Sequence, residues 1–234
     1  MIPLRDNLRT GRPPLVTLII IGINTYAFLK DFLLGPWGGR RFIMYYGLIP
    51  CSLSGACEIV GRAFSPEVSL FTSMFVHAGF FHFAGNMLYL WIFGNNVEDA
   101  MGRVRFVIFY LLSGLGAALA QILVNPASRI PMVGASGAIS GVLGAYLLLF
   151  PQARVLTLIP LGLFTQVAEI PALVVLGFWI VVQLLNGLLT FNFEGGGVAF
   201  FAHIGGFVVG MLLVGIFKRR AVPWGWQRRR VWHD

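Results

Sequence analysis

Residues 199–220 read AFFAHIGGFVVGMLLVGIFKRR, and this stretch decides the class of fold. His203 is its one polar side chain before Lys218 begins a cluster of basic residues. A bilayer core about 30 Å thick requires about 20 consecutive apolar residues in one helix. We therefore predict a transmembrane helix over residues 199–217 that ends at a membrane surface.

The composition of the whole chain is typical of a membrane protein. Of its 234 residues, 57% are hydrophobic and 11% are charged, and the mean hydropathy is +0.81. A soluble domain carries about 25% charged residues. These values exclude a disordered chain, a small disulfide scaffold and a nucleic-acid-binding domain, so no nucleic acid partner is expected. The net charge of +8 instead indicates basic residues at an anionic surface, with membrane lipids as partners.

Five further apolar runs, bounded by charge, proline or glycine, precede this one. They cover residues 15–29, 79–93, 104–124, 137–150 and 171–189. The predicted fold is all-α: a polytopic membrane protein with a six-helix bundle and a long outer first loop. We assign residues 1–14 to a cytoplasmic tail, 15–217 to the membrane-embedded domain and 218–234 to a basic cytoplasmic tail. The first run is interpreted as a retained anchor, because it contains no small-residue cleavage site of a signal peptide.

The basic residues predict the orientation of the helices. If the N-terminus is cytoplasmic, most of the 17 Lys and Arg side chains lie on the inner side. They are Arg5, Arg9, Arg12, Arg103, Arg105, Arg154, Lys218, Arg219, Arg220, Arg228, Arg229 and Arg230. The positive-inside rule then favours an even number of crossings with both termini in the cytoplasm. We expect a prokaryotic inner membrane, with an organelle membrane as the alternative.

The first connection, residues 30–79, is too long for a simple turn and is rich in aromatic residues. We predict a folded, half-immersed outer loop with short interfacial helices. The two cysteines of the chain, Cys51 and Cys57, both lie in it. In an oxidising compartment they could form a disulfide, and two free thiols are the equal alternative.

Polar side chains at membrane depth are costly, so each of them is a candidate for function. The candidates are His77, His82, Asn86, Ser136, Ser140 and His203. We expect the nearest acids to lie in connections, outside the predicted helices. These acids are Glu98, Asp99, Glu169 and Glu194.

The fourth apolar run begins at Gly134-Ala135-Ser136-Gly137 and is too short to cross the bilayer. A helix over residues 137–150 would be about 21 Å long, about 9 Å less than the thickness of the core. We therefore expect Ser136 at a helix N-terminus that lies below the outer surface and within reach of water. The free N–H groups and the positive end of the helix dipole at that place favour an oxyanion.

Stripes of small residues predict which helices pack together. The glycines are Gly137, Gly141 and Gly144 on the fourth helix and Gly206 and Gly210 on the sixth. The sixth-helix pair shares one face with His203, so packing of the two stripes would bring its imidazole to the Ser136 hydroxyl. Histidine is well suited to take a serine proton near neutral pH. Because no acid lies in the predicted helices, we expect a dyad whose imidazole is oriented by packing.

His82 and Asn86 are four residues apart and therefore project from one helix face. Both can donate hydrogen bonds without bringing a negative charge, which suits an oxyanion site. A zinc site is a weaker alternative, because the histidines lack a His-Glu-x-x-His spacing and a nearby carboxylate or thiolate. A transporter is also disfavoured, because neither broken helices in matched halves nor an acidic proton relay is visible.

Together these residues resemble the rhomboid family of intramembrane serine proteases. The resemblance is carried by residues 72–79 (TSMFVHAG), 82–86 (HFAGN), 98–102 (EDAMG), 134–137 (GASG) and 202–206 (AHIGG). It implies Ser136 as the nucleophile and His203 as the general base and later the acid. It also implies an oxyanion site formed by His82, Asn86 and the Ser136 N–H, and cleavage of transmembrane segments near their outer end.

The resemblance further implies a mobile side gate in the fifth helix and a cap, with Gly195-Gly196-Gly197 as a hinge. Two features depart from the family pattern. Val68-Ser69 stands where many members carry Trp-Arg, and Ser140 stands where some carry an aromatic ring that stacks on the catalytic histidine.

The predicted function is that of an intramembrane serine endopeptidase that needs no cofactor and no metal. Its expected partners are transmembrane protein substrates, and the sequence indicates no oligomeric state. The alternative is a catalytically inactive rhomboid-like scaffold that binds transmembrane segments. Such relatives typically lose the serine or the histidine, whereas this chain keeps Ser136 and His203.

Overall fold

The computed structural model describes residues 1–59, 64–161, 164–191 and 198–225. The strands are β1 (Ile2–Asp6), β2 (Arg154–Leu161) and β3 (Phe164–Pro171). The helices are α1 (Leu15–Leu33), α2 (Gly35–Tyr46), α3 (Pro50–Leu53), α4 (Pro66–Thr72), α5 (Phe80–Tyr89), α6 (Asn95–Met101), α7 (Arg103–Val124), α8 (Ser136–Leu149), α9 (Ala172–Leu189) and α10 (Phe200–Phe217). A 3₁₀ turn (Ser73–Phe75) follows α4, and a π-helical turn (Leu90–Gly94) joins α5 to α6. Some residues used in the sequence analysis lie outside the described ranges: Glu194, Gly195, Gly196, Gly197, Arg228, Arg229 and Arg230.

α1, α7, α9 and α10 are long and apolar enough to cross a membrane. Residues 66–75 and 80–101 pass the same test as a pair, although the two parts are bent by 79°. α8 has 14 residues and is apolar but shorter. Within its described ranges the chain is therefore a mostly helical integral membrane protein with four candidate spans, or five with the bent pair. The count of six crossings stays a prediction.

The prediction of an all-α chain is wrong at three segments, which form an antiparallel sheet in the order β1-β2-β3. β1 lies within residues 1–14, which were assigned to a tail, and β2 and β3 lie in the connection that precedes α9. Val155 in β2 pairs with Asp6 on one side and with Ile170 on the other. Apolar and β-branched residues favour such strands. β1 is short and pairs with residues far along the chain, so no local pattern predicts it, whereas β2 and β3 form a local hairpin in a connection between two predicted helices.

Two acids that were expected in a connection lie instead in a helix. Glu98 and Asp99 belong to α6, and both side chains are buried. The Glu98 carboxylate accepts hydrogen bonds from the N–H groups of Val16 (3.1 Å) and Thr17 (2.8 Å) and from the Thr17 hydroxyl (2.8 Å). It therefore satisfies free N–H groups at the start of α1 and lies at the positive end of the α1 dipole. Asp99 forms an ion pair with Arg219 (3.3 Å), which follows α10.

The segment between α1 and α5, predicted as an outer loop, contains the helices α2, α3 and α4. Cys51 and Cys57 are joined by a disulfide bond, so the structure has the bridged form of the two that the sequence left open. The backbone of Leu48 exchanges two hydrogen bonds with Met132 (3.0 and 2.6 Å). This pairing ties the segment to the loop that leads into α8.

Close packing of α8 against α10 depends on the glycine stripes. A Cβ atom on Gly206 would overlap the carbonyl oxygen of Gly137, and one on Gly210 would overlap the carbonyl oxygen of Gly141. Gly137 also faces the methyl group of Ala117 on α7, at 2.7 Å from the place of a Cβ. Because a side chain at any of these positions would separate the backbones, glycine allows α7, α8 and α10 to meet.

Candidate active site

Ser136 is the first residue of α8, so the helix start fixes the position of its hydroxyl. The first backbone hydrogen bond at this end runs from the Ile139 N–H to the Ala135 carbonyl (3.0 Å). The N–H groups that precede Ile139 in the helix therefore point out of its N-terminus, without an acceptor in the same helix. The positive end of the α8 dipole lies at the same place.

Gly134 shapes the approach to this helix. Its φ is +124°, a conformation that L-residues rarely adopt, and its N–H donates to the Ser73 carbonyl (2.9 Å). A Cβ at Gly134 would lie 2.7 Å from His82 Nε2 and 3.5 Å from Ser136 Oγ. Because Gly134 has no side chain, a small space stays open here, and both the His82 ring and the Ser136 hydroxyl face it.

His203 lies on α10, and its Nε2 is 2.8 Å from Ser136 Oγ. This distance is within hydrogen-bond range for a serine and a base that takes its proton. The contact between α8 and α10 through Gly137 and Gly206 lies beside this pair and holds the two helices close enough for it.

Two side chains of α9 hold the His203 ring from the other side. His203 Nδ1 is 2.8 Å from Oε1 of Gln183, whose side chain is 8% exposed. The Trp179 ring lies against the imidazole, with ring centroids 5.8 Å apart. Because Trp179 and Gln183 are four residues apart, they share one face of α9. The imidazole is thus oriented by a hydrogen bond as well as by packing, whereas packing alone was predicted from the sequence.

His82, on α5, faces the same space as the hydroxyl. Its Nδ1 accepts a hydrogen bond from the Ala78 N–H (3.4 Å). The proton of a neutral His82 ring therefore lies on Nε2, the atom that faces the open point beside Gly134. This tautomer makes His82 a donor toward the region next to Ser136.

Asn86 lies one turn further along α5, and its side chain is 7% exposed. Its amide Nδ2 donates to the His82 carbonyl (2.8 Å), so one of the two amide protons is already used within the helix. The second amide proton is the one left to serve as a donor in the site.

A cavity of about 600 Å³ contains all four polar groups. Ser136, His203, His82 and Asn86 line it together with apolar side chains, among them Trp179. A cavity that is mostly apolar and has a few convergent polar groups is typical of a small-molecule or peptide site.

The family model of the Rhomboid domain matches residues 66–220, which is more than half of the chain and includes all four polar groups. The chain belongs to the rhomboid family. RHOMBOID-like protein 1 of Arabidopsis thaliana is 38% identical to this rhomboid over 71% of the chain and 39% of its own length. Rhomboid protein 1, mitochondrial, of Saccharomyces cerevisiae is 30% identical over 93% of the chain and 57% of its own length. Rhomboid protease GluP of Bacillus subtilis is 34% identical over 60% of the chain and 24% of its own length.

The aligned chain spans less than two thirds of the length of each of these relatives. The comparisons therefore identify the membrane domain that this rhomboid shares with them. The Bacillus subtilis relative is named as a protease, and the names of the other two relatives state no activity.

The two other candidates in this rhomboid lie near Ser136 and His82. The Ser140 hydroxyl donates to the Ser136 carbonyl (2.6 Å) and is thereby bonded within α8. His77 is fully buried, and its ring meets the His82 ring edge-on with centroids 5.2 Å apart. Among the described residues, no group of three or more His, Cys, Asp or Glu side chains is arranged to hold a metal ion.

Gln183 and Trp179 of this rhomboid were not among the candidates predicted from the sequence. Gln183 is a polar side chain inside an apolar run, and the criterion that selected His203 would also have selected it. Trp179 carried no such signal, because an aromatic ring in an apolar helix is ordinary. Its ring nevertheless lies against the imidazole, a contact that the family pattern suggested only for position 140.

Proposed function

We propose that this rhomboid is an intramembrane serine endopeptidase in which Ser136 is the nucleophile and His203 is the general base. The observation that carries the proposal is the 2.8 Å distance between Ser136 Oγ and His203 Nε2 at the N-terminus of α8. No cofactor is required, because a hydroxyl, an imidazole and a set of hydrogen-bond donors suffice for acyl transfer.

In the proposed reaction, Ser136 Oγ attacks the carbonyl carbon of a peptide bond while its proton passes to His203 Nε2. The tetrahedral intermediate carries its negative charge on the former carbonyl oxygen. His82 Nε2–H, Asn86 Nδ2–H and the Ser136 N–H are the donors that we assign to this oxygen. When the C–N bond breaks, the protonated His203 gives its proton to the leaving amine. Water then attacks the acyl ester with His203 again as the base, and Ser136 is restored.

The proposed substrates are the transmembrane segments of single-span proteins, cut near their outer end. An intact helix holds its peptide carbonyl and N–H groups in its own hydrogen bonds, so a segment must unwind locally before Ser136 can reach a carbonyl carbon. The apolar lining of the cavity supports an apolar substrate. Small or helix-breaking residues near the cut would favour the unwinding.

We also propose six crossings, with α8 and the bent pair each counted once, and both termini in the cytoplasm of a prokaryotic cell. The cytoplasmic placement of the termini is supported by the concentration of basic residues at Arg103, Arg105 and Lys218–Arg220, next to the ends of α7 and α10. Cysteine labelling from each side of sealed vesicles tests the sidedness. Labelling of a cysteine placed next to Arg103 from the outside would contradict it.

The test of the activity uses the full chain in liposomes with a model single-span substrate. We compare the wild type with Ser136→Ala and His203→Ala, and we expect both variants to lose cleavage by at least about a thousandfold. Ser113→Ala is the matched control. It removes a serine hydroxyl from a buried position of α7 at which that hydroxyl has no hydrogen-bond partner.

A covalent serine-directed inhibitor provides a second readout, because it requires an activated hydroxyl. We expect mass spectrometry to find the adduct on Ser136 in the wild type and in Ser113→Ala, and no adduct in His203→Ala. Cleavage by Ser136→Ala at the wild-type rate would overturn the proposal. Binding of the substrate by the wild type with no cleavage would favour the scaffold alternative.

A further inference from the structure

Gln183 approaches the one ring nitrogen of His203 that the proposed dyad leaves unused. Its Oε1 is 2.8 Å from His203 Nδ1, while Nε2 on the opposite side of the ring is 2.8 Å from Ser136 Oγ. The Gln183 side chain is 8% exposed, so water does not compete freely for this contact. Serine, histidine and glutamine therefore form one line of hydrogen bonds across α8, α10 and α9.

We propose that Gln183 is a positioning residue that fixes the tautomer and the orientation of His203 through its neutral amide oxygen. The inference rests on the proposed protease function. In a Ser-His-Asp triad a carboxylate holds the imidazole, whereas here an uncharged acceptor takes that position.

The chemistry of the pair determines which ring nitrogen carries the proton. An amide oxygen can only accept, so Nδ1 of a neutral His203 must hold the ring proton and donate it to Gln183. The lone pair then lies on Nε2 and faces the Ser136 hydroxyl, as a general base requires. Without Gln183, the other tautomer would place an N–H toward the hydroxyl, and that tautomer cannot take its proton.

The bond to Gln183 also becomes stronger during the reaction. When His203 accepts the serine proton, its Nδ1–H becomes the donor of a charged imidazolium, and charge-assisted hydrogen bonds are roughly twice as strong as neutral ones. Gln183 thus stabilises the transition state more than the ground state. An amide also avoids the cost of an ionised carboxylate in an apolar helix, which explains how the site functions without an acid.

The cavity around His203 offers no charged acceptor that could hold the ring in place of Gln183. Among the described residues that line the cavity, the remaining titratable side chains are His82 and Tyr89, and none is a carboxylate. The purely structural role that Gln183 could have is a hydrogen bond that holds α9 against α10. Asn186, one turn further along α9, has a local bond instead, because its Nδ2 donates to the Val182 carbonyl (2.8 Å) of its own helix.

The experiment compares Gln183→Leu and Gln183→Asn with the matched control Asn186→Leu, all in the full chain in liposomes. Asparagine keeps the amide but is one methylene too short to reach Nδ1. Because the loss of the Gln183 oxygen leaves the His203 Nδ1–H as an unpaired buried donor, we expect kcat to fall about tenfold to a hundredfold in both Gln183 variants, with KM changed less than about twofold. The control should keep the wild-type kcat. Equal kcat in Gln183→Asn and Asn186→Leu would overturn the inference.

Gln183→Glu supplies a readout that a structural tie would not affect. Glutamate restores an acceptor of the same length and adds a negative charge beside the imidazole, which favours the protonated base. We expect activity well above that of Gln183→Leu near pH 8, and the acid limb of the kcat/KM profile should move to higher pH by about one unit or more. An acid limb that stays at the wild-type pH would count against a contact between residue 183 and the base.

Nitrogen-15 NMR of labelled histidines tests the tautomer directly. We expect the neutral His203 to carry its proton on Nδ1 in the wild type and to change tautomer in Gln183→Leu. A proton on Nε2 in the wild type would contradict the inference even if the chain is a protease. If Ser136→Ala cleaves as well as the wild type, the proposed function fails instead, so the two failures are distinguishable.

Discussion

A single added methyl group at Gly134 tests the assignment of His82 to the oxyanion site. Gly134→Ala places a Cβ 2.7 Å from His82 Nε2 and 3.5 Å from Ser136 Oγ. The second distance is an ordinary van der Waals contact, whereas the first is shorter than real Cβ contacts allow. The substitution therefore acts on the proposed donor and leaves the nucleophile in place.

The structure sets the size of the effect. An ordinary contact begins near 3.4 Å, so the His82 ring must withdraw by about 0.7 Å. Loss of one oxyanion donor raises the barrier by about 3 kcal/mol, which is about a hundredfold to a thousandfold in kcat. The positive φ of +124° adds a stability cost of about 1–3 kcal/mol, which must be separated from the effect on catalysis.

Gly102→Ala is the control that separates the loss of stability caused by a positive φ from the loss of kcat caused by the displacement of His82. Gly102 also has a positive φ, +86°, but a Cβ there would meet nothing within 4 Å. Initial cleavage rates in liposomes at several substrate densities give kcat and KM, and thermal unfolding in detergent gives the stability. We expect both variants to lose stability and only Gly134→Ala to lose kcat. If both keep the wild-type kcat while folded, His82 is not a donor at this point.

Three further predictions test the packing and the electrostatics around the site. Burial raises the pKa of Asp6 to about 6, from 3.8, and outweighs its hydrogen bond from Tyr146, which lowers it. The folded protein should therefore lose up to about 3 kcal/mol of stability as the pH rises from about 4 to above 6, and denaturant titrations of Asp6→Asn should lack this loss. Glu98→Gln should lower the free energy of unfolding by about 2 kcal/mol, because the start of α1 loses a charged acceptor; an unchanged midpoint would contradict this capping role. Gly206→Ala should cost about 1–3 kcal/mol and about a hundredfold in kcat, since its methyl group pushes α10 from Gly137; cleavage at the wild-type rate would argue against this contact.

The contact between Ser136 and His203 was predictable because two signals in the sequence point to the same pair of helices. One signal is the cost of polar groups in apolar runs, which selects few residues. The other is the spacing of glycines, which selects the faces that can approach closely. Each signal lies within the sequence of a single helix, so both can be recognised without knowledge of the fold. Gln183 satisfies the first signal but lies on a helix without a glycine stripe toward α10, so only the structure shows which group it contacts.

The role of Glu98 could not be predicted in the same way. Its partners, Val16 and Thr17, are separated from it by about 80 residues, and nothing in the local sequence marks a capping carboxylate. Hydropathy also ended the second helix before Glu98, because a charged residue normally lies outside a span. The buried N–H groups of α1 override this preference, since they provide the carboxylate with the donors that water would otherwise supply.

The three-stranded sheet, which was not predicted from the sequence, explains how so short a helix can hold Ser136 in a fixed position. α8 cannot be fixed by length alone, because a helix of 14 residues is shorter than the thickness of a bilayer core. Its far end is held instead by the Tyr146 hydroxyl, which donates to Asp6 of β1 (2.6 Å), and Asn96 donates to the same carboxyl oxygen (2.7 Å). Tyr146 lies about 15 Å along the helix from Ser136. β1 therefore anchors the helix that carries the proposed nucleophile. A helix long enough to span the bilayer is fixed in depth because its two ends lie at the two membrane surfaces, and in α8 these hydrogen bonds to Asp6 take over that function.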